Sequence, residues 1–236
     1  MDTLNVNAIE PEGATTTLNV GISGKNVIIT DNLKANTLKD SGGNTLFTSD
    51  GSGNLSSVNS AFGSPQVLLS TQTASDSASL SFTSGIDSTY KEYVFEFINI
   101  NPATDGADFQ FQAGASYDTT ITSTYFRANH GEGDGGGTLA YQTGEDQAQG
   151  TNYQNIFHEL DNDADSSASG ELHLFNPSST TYVKNWYCIT QGVQNSEWSM
   201  ENFSAGYFNT TSALTQVQFK ASSGNFDGKI KMYGMK

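Results

Sequence analysis

Apolar and polar residues alternate along much of the chain with the period of two that is typical of β-strands. The strongest example covers residues 92–100, where bulky side chains occupy both faces of the predicted strand. Tyr93, Phe95 and Phe97 share one face, and Val94, Ile98 and Ile100 share the other. A strand that is apolar on both faces belongs in the middle of a sheet. Because no stretch shows the period of an amphipathic helix, the pattern predicts an all-β protein.

About ten further segments of this kind follow residue 64, separated by turns rich in Gly, Asn and Asp. They cover Gln66–Ser70, Ala78–Phe82, Asp108–Gln112, Ile121–Arg127, Tyr153–His158, Glu171–Phe175, Thr181–Thr190, Gly206–Phe208, Ala213–Ala221 and Lys229–Tyr233. In the segment 181–190, Tyr182, Trp186 and Cys188 are predicted to share a face. Strands of this number and spacing favour an antiparallel β-sandwich of jelly-roll type.

The first sixty or so residues contain fewer large apolar side chains than the rest of the chain, and they include a sequence repeat. Thr-Leu-Asn-Val occurs at residues 3–6 and again at residues 17–20. A segment with so few large apolar residues cannot enclose a core alone, so its repeats must stack on each other or on other chains. The predicted buried interface between chains consists of Leu4, Val6, Leu18, Val20, Val27, Ile29, Leu46, Phe47 and Leu55. A flexible tether is the alternative, but the apolar run at residues 27–29 favours an ordered stem.

Residues 40–63 form the junction between the two patterns. Two turns rich in Gly, Ser and Asn, at residues 41–44 and 51–54, flank the short apolar strand Thr45–Thr48. We therefore predict an N-terminal attachment or stem segment over residues 1–63 and a C-terminal β-sandwich head over residues 64–236.

Composition narrows the choice of partners. The net charge is -15 and only ten residues are Lys or Arg, which argues against binding to nucleic acid. Residues 132–171 contain nine acidic residues and no Lys or Arg, which indicates a solvated acidic face or a cation-binding one. Cys188 is the only cysteine, so an intrachain disulfide is excluded. The chain start lacks the features of a signal peptide, and no apolar run predicts insertion into a membrane.

No motif predicts a catalytic site or a cofactor. The sequence Gly131–Gly136 matches G-x-G-x-x-G but carries two acids that would repel a pyrophosphate. His158-Glu159 lacks the second histidine of a zincin motif, and the three histidines are scattered. The best metal candidate is a calcium loop at Asp161, Asp163 and Asp165, for which a solvated hairpin tip is the alternative.

Four stretches resemble virion structural proteins of marine tailed bacteriophages. They are residues 36–54, 70–79, 82–90 and 222–234, and together with the chain between them the resemblance spans most of the sequence. These stretches are sequence motifs of turns and strands, and they contain no catalytic residues. The resemblance implies a fibre or decoration subunit that forms a homotrimer, whereas the residues themselves indicate only an assembly of several chains.

The expected function is therefore that of a non-enzymatic fibre or appendage subunit on the virion surface, made in the host cytoplasm. Its partners would be copies of itself, other virion proteins through residues 1–63, and a host-surface glycan or envelope protein. A capsid decoration protein is the alternative. A polysaccharide-cleaving tail enzyme is a third possibility, although no linear motif supports it.

Overall fold

The computed structural model describes residues 35–58 and 65–236, and within these ranges it contains sixteen β-strands and no helix. The described part of the chain accordingly has no helix that is long and apolar enough to cross a membrane. Contacts divide the chain into two compact units, residues 1–63 and residues 64–236. Each unit is described separately below.

The described part of the first unit is a meander of three short antiparallel strands. These are β1 (Thr37–Lys39), β2 (Thr45–Ser49) and β3 (Leu55–Val58), with β2 in the middle. None of its residues whose exposure the structure describes is buried.

The two turns of this meander repeat one hydrogen-bonding pattern. The carboxylate of Asp40 accepts the backbone N–H groups of Gly42 and Asn44, and the Asn44 side-chain amide donates to it at 3.0 Å. Asp50 and Asn54 make the same contacts in the second turn. Hydrogen bonds from Asn44 and Asn54 lower the pKa of Asp40 and Asp50, respectively, because they stabilise the ionised carboxylate.

The second unit contains the other thirteen strands. They are β4 (Gln66–Ser77), β5 (Leu80–Phe82), β6 (Glu92–Pro102), β7 (Ala107–Ala113), β8 (Ile121–Gly131), β9 (Thr138–Tyr141), β10 (Ala148–Gly150), β11 (Gln154–Leu160), β12 (Ala168–Phe175), β13 (Lys184–Gln194), β14 (Trp198–Phe208), β15 (Val217–Ala221) and β16 (Phe226–Met235).

These strands form two facing layers. The larger layer has the order β4-β16-β6-β12-β13-β14-β8, with β9 and β10 paired to β8. The smaller layer has the order β5-β15-β7-β11. Leu160 of β11, the edge strand of the smaller layer, pairs with Gln194 of β13, an interior strand of the larger layer. Every pairing is antiparallel, which confirms the predicted all-β antiparallel sandwich.

The strand order is that of a jelly roll with two insertions. Without β8–β10 and β13–β14, the layers reduce to β4-β16-β6-β12 and β5-β15-β7-β11, the two four-stranded sheets of an eight-stranded jelly roll. The inserted strands all extend the larger layer. The insertion β8–β10 also places the connection between β9 and β10 beside the smaller layer, where the candidate site lies.

Aromatic side chains fill the space between the layers. Phe95 and Phe97 point inward from β6, and Phe109, Phe111 and Phe219 point inward from the smaller layer. Trp186 of β13 contacts Phe111 edge-on, with 4.9 Å between the ring centroids. Contacts of this kind add to the hydrophobic stabilisation that burial provides. The second unit therefore has its own core.

Two predicted side-chain orientations are wrong. Ile100 belongs to the same core as Phe95, because Asn99 adopts a φ of 51° and the ladder shifts register there. A β-bulge of this kind reverses the face of the next side chain. Tyr182 precedes β13 and is 68% exposed, so it does not share the buried face of Trp186.

Candidate functional site

The predicted interface between chains falls mostly outside the described residues. Leu4, Val6, Leu18, Val20, Val27 and Ile29 all lie there. Of the remaining three, Leu46 and Phe47 are half-buried on β2, and Leu55 on β3 is 55% exposed. These three residues are apolar and remain accessible within the described part of the meander.

The predicted calcium loop lies between β11 and β12. Asp161 is largely buried, and its carboxylate accepts the Ser166 hydroxyl, whereas Asp163 and Asp165 are exposed. Among the described residues, these three carboxylates do not converge on a common point, since they form no cluster of potential metal ligands.

A row of rings crosses the outer face of the larger layer. Phe126 and Phe203 stack at 5.0 Å, Tyr187 lies parallel to Phe203, and His173 stacks on Tyr187 at 4.4 Å. Rings that stack between neighbouring strands in this way support the pairing of those strands.

A cluster on the smaller layer brings together two acids and a histidine that are far apart in the sequence. Asp108 lies on β7, and His158 lies on the adjacent strand β11. Glu145 comes from the connection between β9 and β10. Their potential ligand atoms all lie within 4.8 Å of one another, and among the described residues this is the one such group.

Both carboxylates approach the same nitrogen of the imidazole. Asp108 Oδ1 lies 3.0 Å from His158 Nδ1, and Glu145 Oε2 lies 3.4 Å from it. The three side chains are only 13–21% exposed, which keeps these charges partly shielded from water. An irregularity in the pairing of β11 with β7 accompanies this geometry, since the register shifts on both sides of Phe157.

Neighbouring groups fix the orientation of the cluster. The amide nitrogen of Asn155 donates to both Asp108 Oδ2 and Glu145 Oε2. Gln110 in turn donates to the side-chain oxygen of Asn155 at 2.6 Å. The backbone N–H of Glu159 donates to Asp108 Oδ1 at 3.0 Å. Asp108 is therefore held by two donors, and Asn155 links it to Glu145.

The opposite side of the imidazole also faces a carboxylate. Glu159 Oε2 lies 3.5 Å from His158 Nε2 and accepts a hydrogen bond from Gln194 Nε2 at 2.9 Å. Burial lowers the pKa of His158, but the hydrogen bond with Asp108 and the charges of Glu145, Asp108 and Glu159 outweigh it. The net effect is a raised pKa, as expected for an imidazole among carboxylates.

The cluster carries excess negative charge. Even with His158 protonated, three carboxylates surround one positive charge, and in the described part of the chain no Lys or Arg forms an ion pair with them. Partly buried like charges repel one another unless a cation compensates them. The arrangement is therefore suited to binding a cation.

A polar cleft of about 580 Å³ adjoins the cluster and shares Glu145 and Asn155 with it. The other lining groups include a second acid, amides, two tyrosines and one lysine, among them Asp146, Gln110, Asn152, Tyr117, Tyr153 and Lys220. The Lys220 ammonium lies 4.6 Å from the centroid of the Tyr153 ring. Such a cleft offers several donors and acceptors together with aromatic surface.

Sequence reasoning missed the cluster. Asp108 and His158 both belong to predicted strands, where each adjoins a phenylalanine as any exposed polar residue of a strand can. Glu145 sits in a segment without hydrophobic periodicity. The one available signal was the acidic stretch 132–171, which includes Glu145 and His158 but not their partner Asp108.

Comparison of the chain with protein-family models, curated proteins and solved structures finds no match.

Proposed function

We propose that this protein is a non-enzymatic structural subunit of a phage virion, an appendage or fibre component with a stem and an adhesive head. Residues 1–63 attach it to other virion proteins and align three copies. Residues 64–236 form the head, which contacts the host surface.

The contrast between the two units carries this proposal. The head buries a complete aromatic core of its own. The described meander of the first unit buries none of the residues whose exposure is known, and it presents Leu55 and Val58 at 55% and 41% exposure. Small sheets with exposed apolar side chains gain stability by packing against further strands or other chains. A self-sufficient head that follows such a segment in the sequence is what an attached appendage requires.

The jelly-roll order of the head agrees with this role. Jelly rolls build viral capsid domains and lectin domains, although a fold alone does not define a function. The polar cleft beside Tyr117, Tyr153 and Asn155 supplies the amide and aromatic groups that sugar hydroxyls and sugar rings contact. We therefore place host-glycan adhesion at this cleft.

Truncation tests the division between stem and head. Deletion of residues 1–63 is expected to leave a folded head that no longer joins virus particles, whereas the full chain joins them. Circular dichroism verifies folding, and immunoblotting of purified particles measures incorporation. Incorporation of the truncated head at the level of the full chain would contradict the proposal.

Adhesion is tested with the purified head and host cells. Tyr117→Ala, which removes a ring from the cleft, is expected to reduce cell binding of fluorescently labelled protein. Tyr182→Ala is the matched control, because Tyr182 is 68% exposed and does not line the cleft. Equal binding by both variants would remove the cleft from the proposed role.

A capsid decoration protein is the second candidate, and the jelly-roll order favours it equally. Immunogold labelling of intact particles separates the two. Label on the tail supports an appendage, label over the icosahedral shell supports decoration, and unlabelled particles would contradict both.

A further inference from the structure

We propose that Asp108, Glu145 and His158 bind one divalent transition-metal ion of the Zn²⁺ type in the head. This inference is independent of the proposed role on the virion, because it depends only on the geometry of the smaller layer.

The distances from the His158 ring nitrogen to the two carboxylates are close to those that a single ion requires, and all three ligand atoms lie within 4.8 Å of one another. In a tetrahedral site with metal–ligand distances of about 2.0–2.2 Å, neighbouring ligand atoms lie about 3.3–3.6 Å apart. Here the distances from His158 Nδ1 to Asp108 Oδ1 and Glu145 Oε2 are 3.0 and 3.4 Å. Small side-chain adjustments would bring all three atoms onto one ion, which leaves a fourth position for water.

A metal ion would contact both carboxylates better than a proton on His158 does. Nδ1 carries a single hydrogen, so it cannot make two well-aligned hydrogen bonds to Asp108 and Glu145 at once. The two carboxylates, whose ligand oxygens lie within 4.8 Å of each other, also repel each other. A divalent ion contacts both oxygens together with a deprotonated Nδ1, and it supplies the missing positive charge.

The surroundings supply the outer shell that metal sites need. Metal-bound histidines usually donate their second ring N–H to a carboxylate, and ligating carboxylates are themselves hydrogen-bonded. Glu159 Oε2 lies 3.5 Å from His158 Nε2 and is held by Gln194. Asn155 bridges the two ligating carboxylates from the other side. These contacts favour the tautomer that leaves Nδ1 available to a metal.

The donor set selects the class of ion. Ca²⁺ and Mg²⁺ prefer shells made entirely of oxygen, whereas an imidazole nitrogen together with carboxylates suits Zn²⁺ and related transition metals. The presence of His158 at the centre therefore points to Zn²⁺ rather than Ca²⁺.

The head contains a natural comparison site. His173 also has two carboxylate neighbours, Glu92 at 2.5 Å and Glu171 at 3.3 Å, but they approach opposite ring nitrogens. A single ion therefore cannot contact one nitrogen of His173 and both of these carboxylates at the same time. His173 is therefore the matched control for His158.

Titration of the full chain tests the site. Protein stripped with EDTA and dialysed is titrated with ZnCl₂ by calorimetry, and one ion per chain is expected, with a higher melting temperature. Co²⁺ is expected to give visible absorption bands from the same site. His158→Gln, Asp108→Asn and Glu145→Gln should weaken binding by more than the ~10–100-fold that is typical of outer-shell changes. His173→Gln should bind as the wild type does.

Melting each variant in EDTA separates lost binding from lost folding, since a ligand variant that melts like the stripped wild type is folded. Three ligand variants are used so that at least one folded variant is compared. The proposal is overturned if the wild type takes up no Zn²⁺, if it binds Ca²⁺ more tightly than Zn²⁺, or if the folded ligand variants bind no more weakly than His173→Gln.

Discussion

Phe95 of the larger layer and Phe219 of the smaller layer pack across the sandwich with 5.2 Å between their ring centroids. Phe219 also contacts Phe82, Phe97 and Phe109, and its own side chain is fully buried. β15, which carries Phe219, lies between β5 and β7. This ring therefore links β6, an interior strand of the larger layer, to three strands of the smaller layer.

Phe219→Ala is expected to destabilise the head by about 3–5 kcal/mol, because it removes buried apolar surface and leaves a cavity in a core of rigid rings. Urea denaturation followed by tryptophan fluorescence measures the effect. Phe126→Ala on the outer face is the control, since Phe126 is 40% exposed and should cost far less. A similar loss in both variants would show that Phe219 is not central to the core.

The interior also contains a buried hydrogen bond between two polar side chains, Tyr125 and Asn202, and it leads to a second prediction. The hydroxyl of Tyr125 on β8 donates to Asn202 Oδ1 on β14 at 2.6 Å, and both residues are buried. Burial raises the pKa of Tyr125 well above its ordinary value, and nearby Glu145 and Asp108 add to the effect. The phenol therefore stays neutral in the folded head at pH values where the unfolded chain ionises.

Tyr125→Phe is expected to lower stability by about 1 kcal/mol at pH 7, because one buried hydrogen bond is lost. Above pH ~10 the unfolded tyrosine releases its proton while the folded one keeps it, so wild-type stability falls with rising pH. The variant lacks this loss, and the difference between the two proteins should shrink or reverse. Urea denaturation at pH 7 and pH 10.5 measures it, and a constant difference would contradict the buried neutral phenol.

The sequence predicted the strands whose apolar residues alternate regularly. Tyr93, Phe95 and Phe97 of β6 lie on the inner face, as the pattern indicated. The same reasoning failed at Ile100, because the bulge at Asn99 depends on pairing with β12 and β16, which a local pattern does not contain.

Strands without an apolar signal could not be found in this way. Every residue of β9 is exposed, and this strand exists because it pairs with β8. In β14 the prediction covered only residues 206–208, because Asn202 and Ser204 occupy inward positions that are usually apolar. The candidate metal site was missed for a related reason, since its residues meet only through the packing of β7, β11 and a distant connection.

Cys188 provides a probe of global opening. Its side chain lies in the core beside the aromatic cluster, and burial raises the pKa of its thiol well above the ordinary value. Because the thiolate is the reactive form, the native head should not react with a thiol reagent such as DTNB at pH 8. The thiol should react at once in denaturant. Rapid labelling of the native protein would show that the layers separate far more readily than this core implies.

The exposed apolar residues of the meander lead to the last prediction. Leu46 and Phe47 are consecutive residues of the central strand β2, so they project from opposite faces of the meander, and both are half-buried within a single chain. If copies of the stem pack together, these side chains contribute apolar surface to the interface, at about 25 cal/mol per Å² buried. Replacing both with serine should therefore weaken the assembly while the separate core of the head stays folded.

Light scattering coupled to gel filtration measures the mass, which should fall from that of a trimer toward that of a monomer. Leu139→Ser is the control, because Leu139 is 73% exposed on the head and its loss should leave the mass unchanged. A wild-type chain that is already a monomer, or a double variant that remains a trimer, would contradict the role assigned to β2.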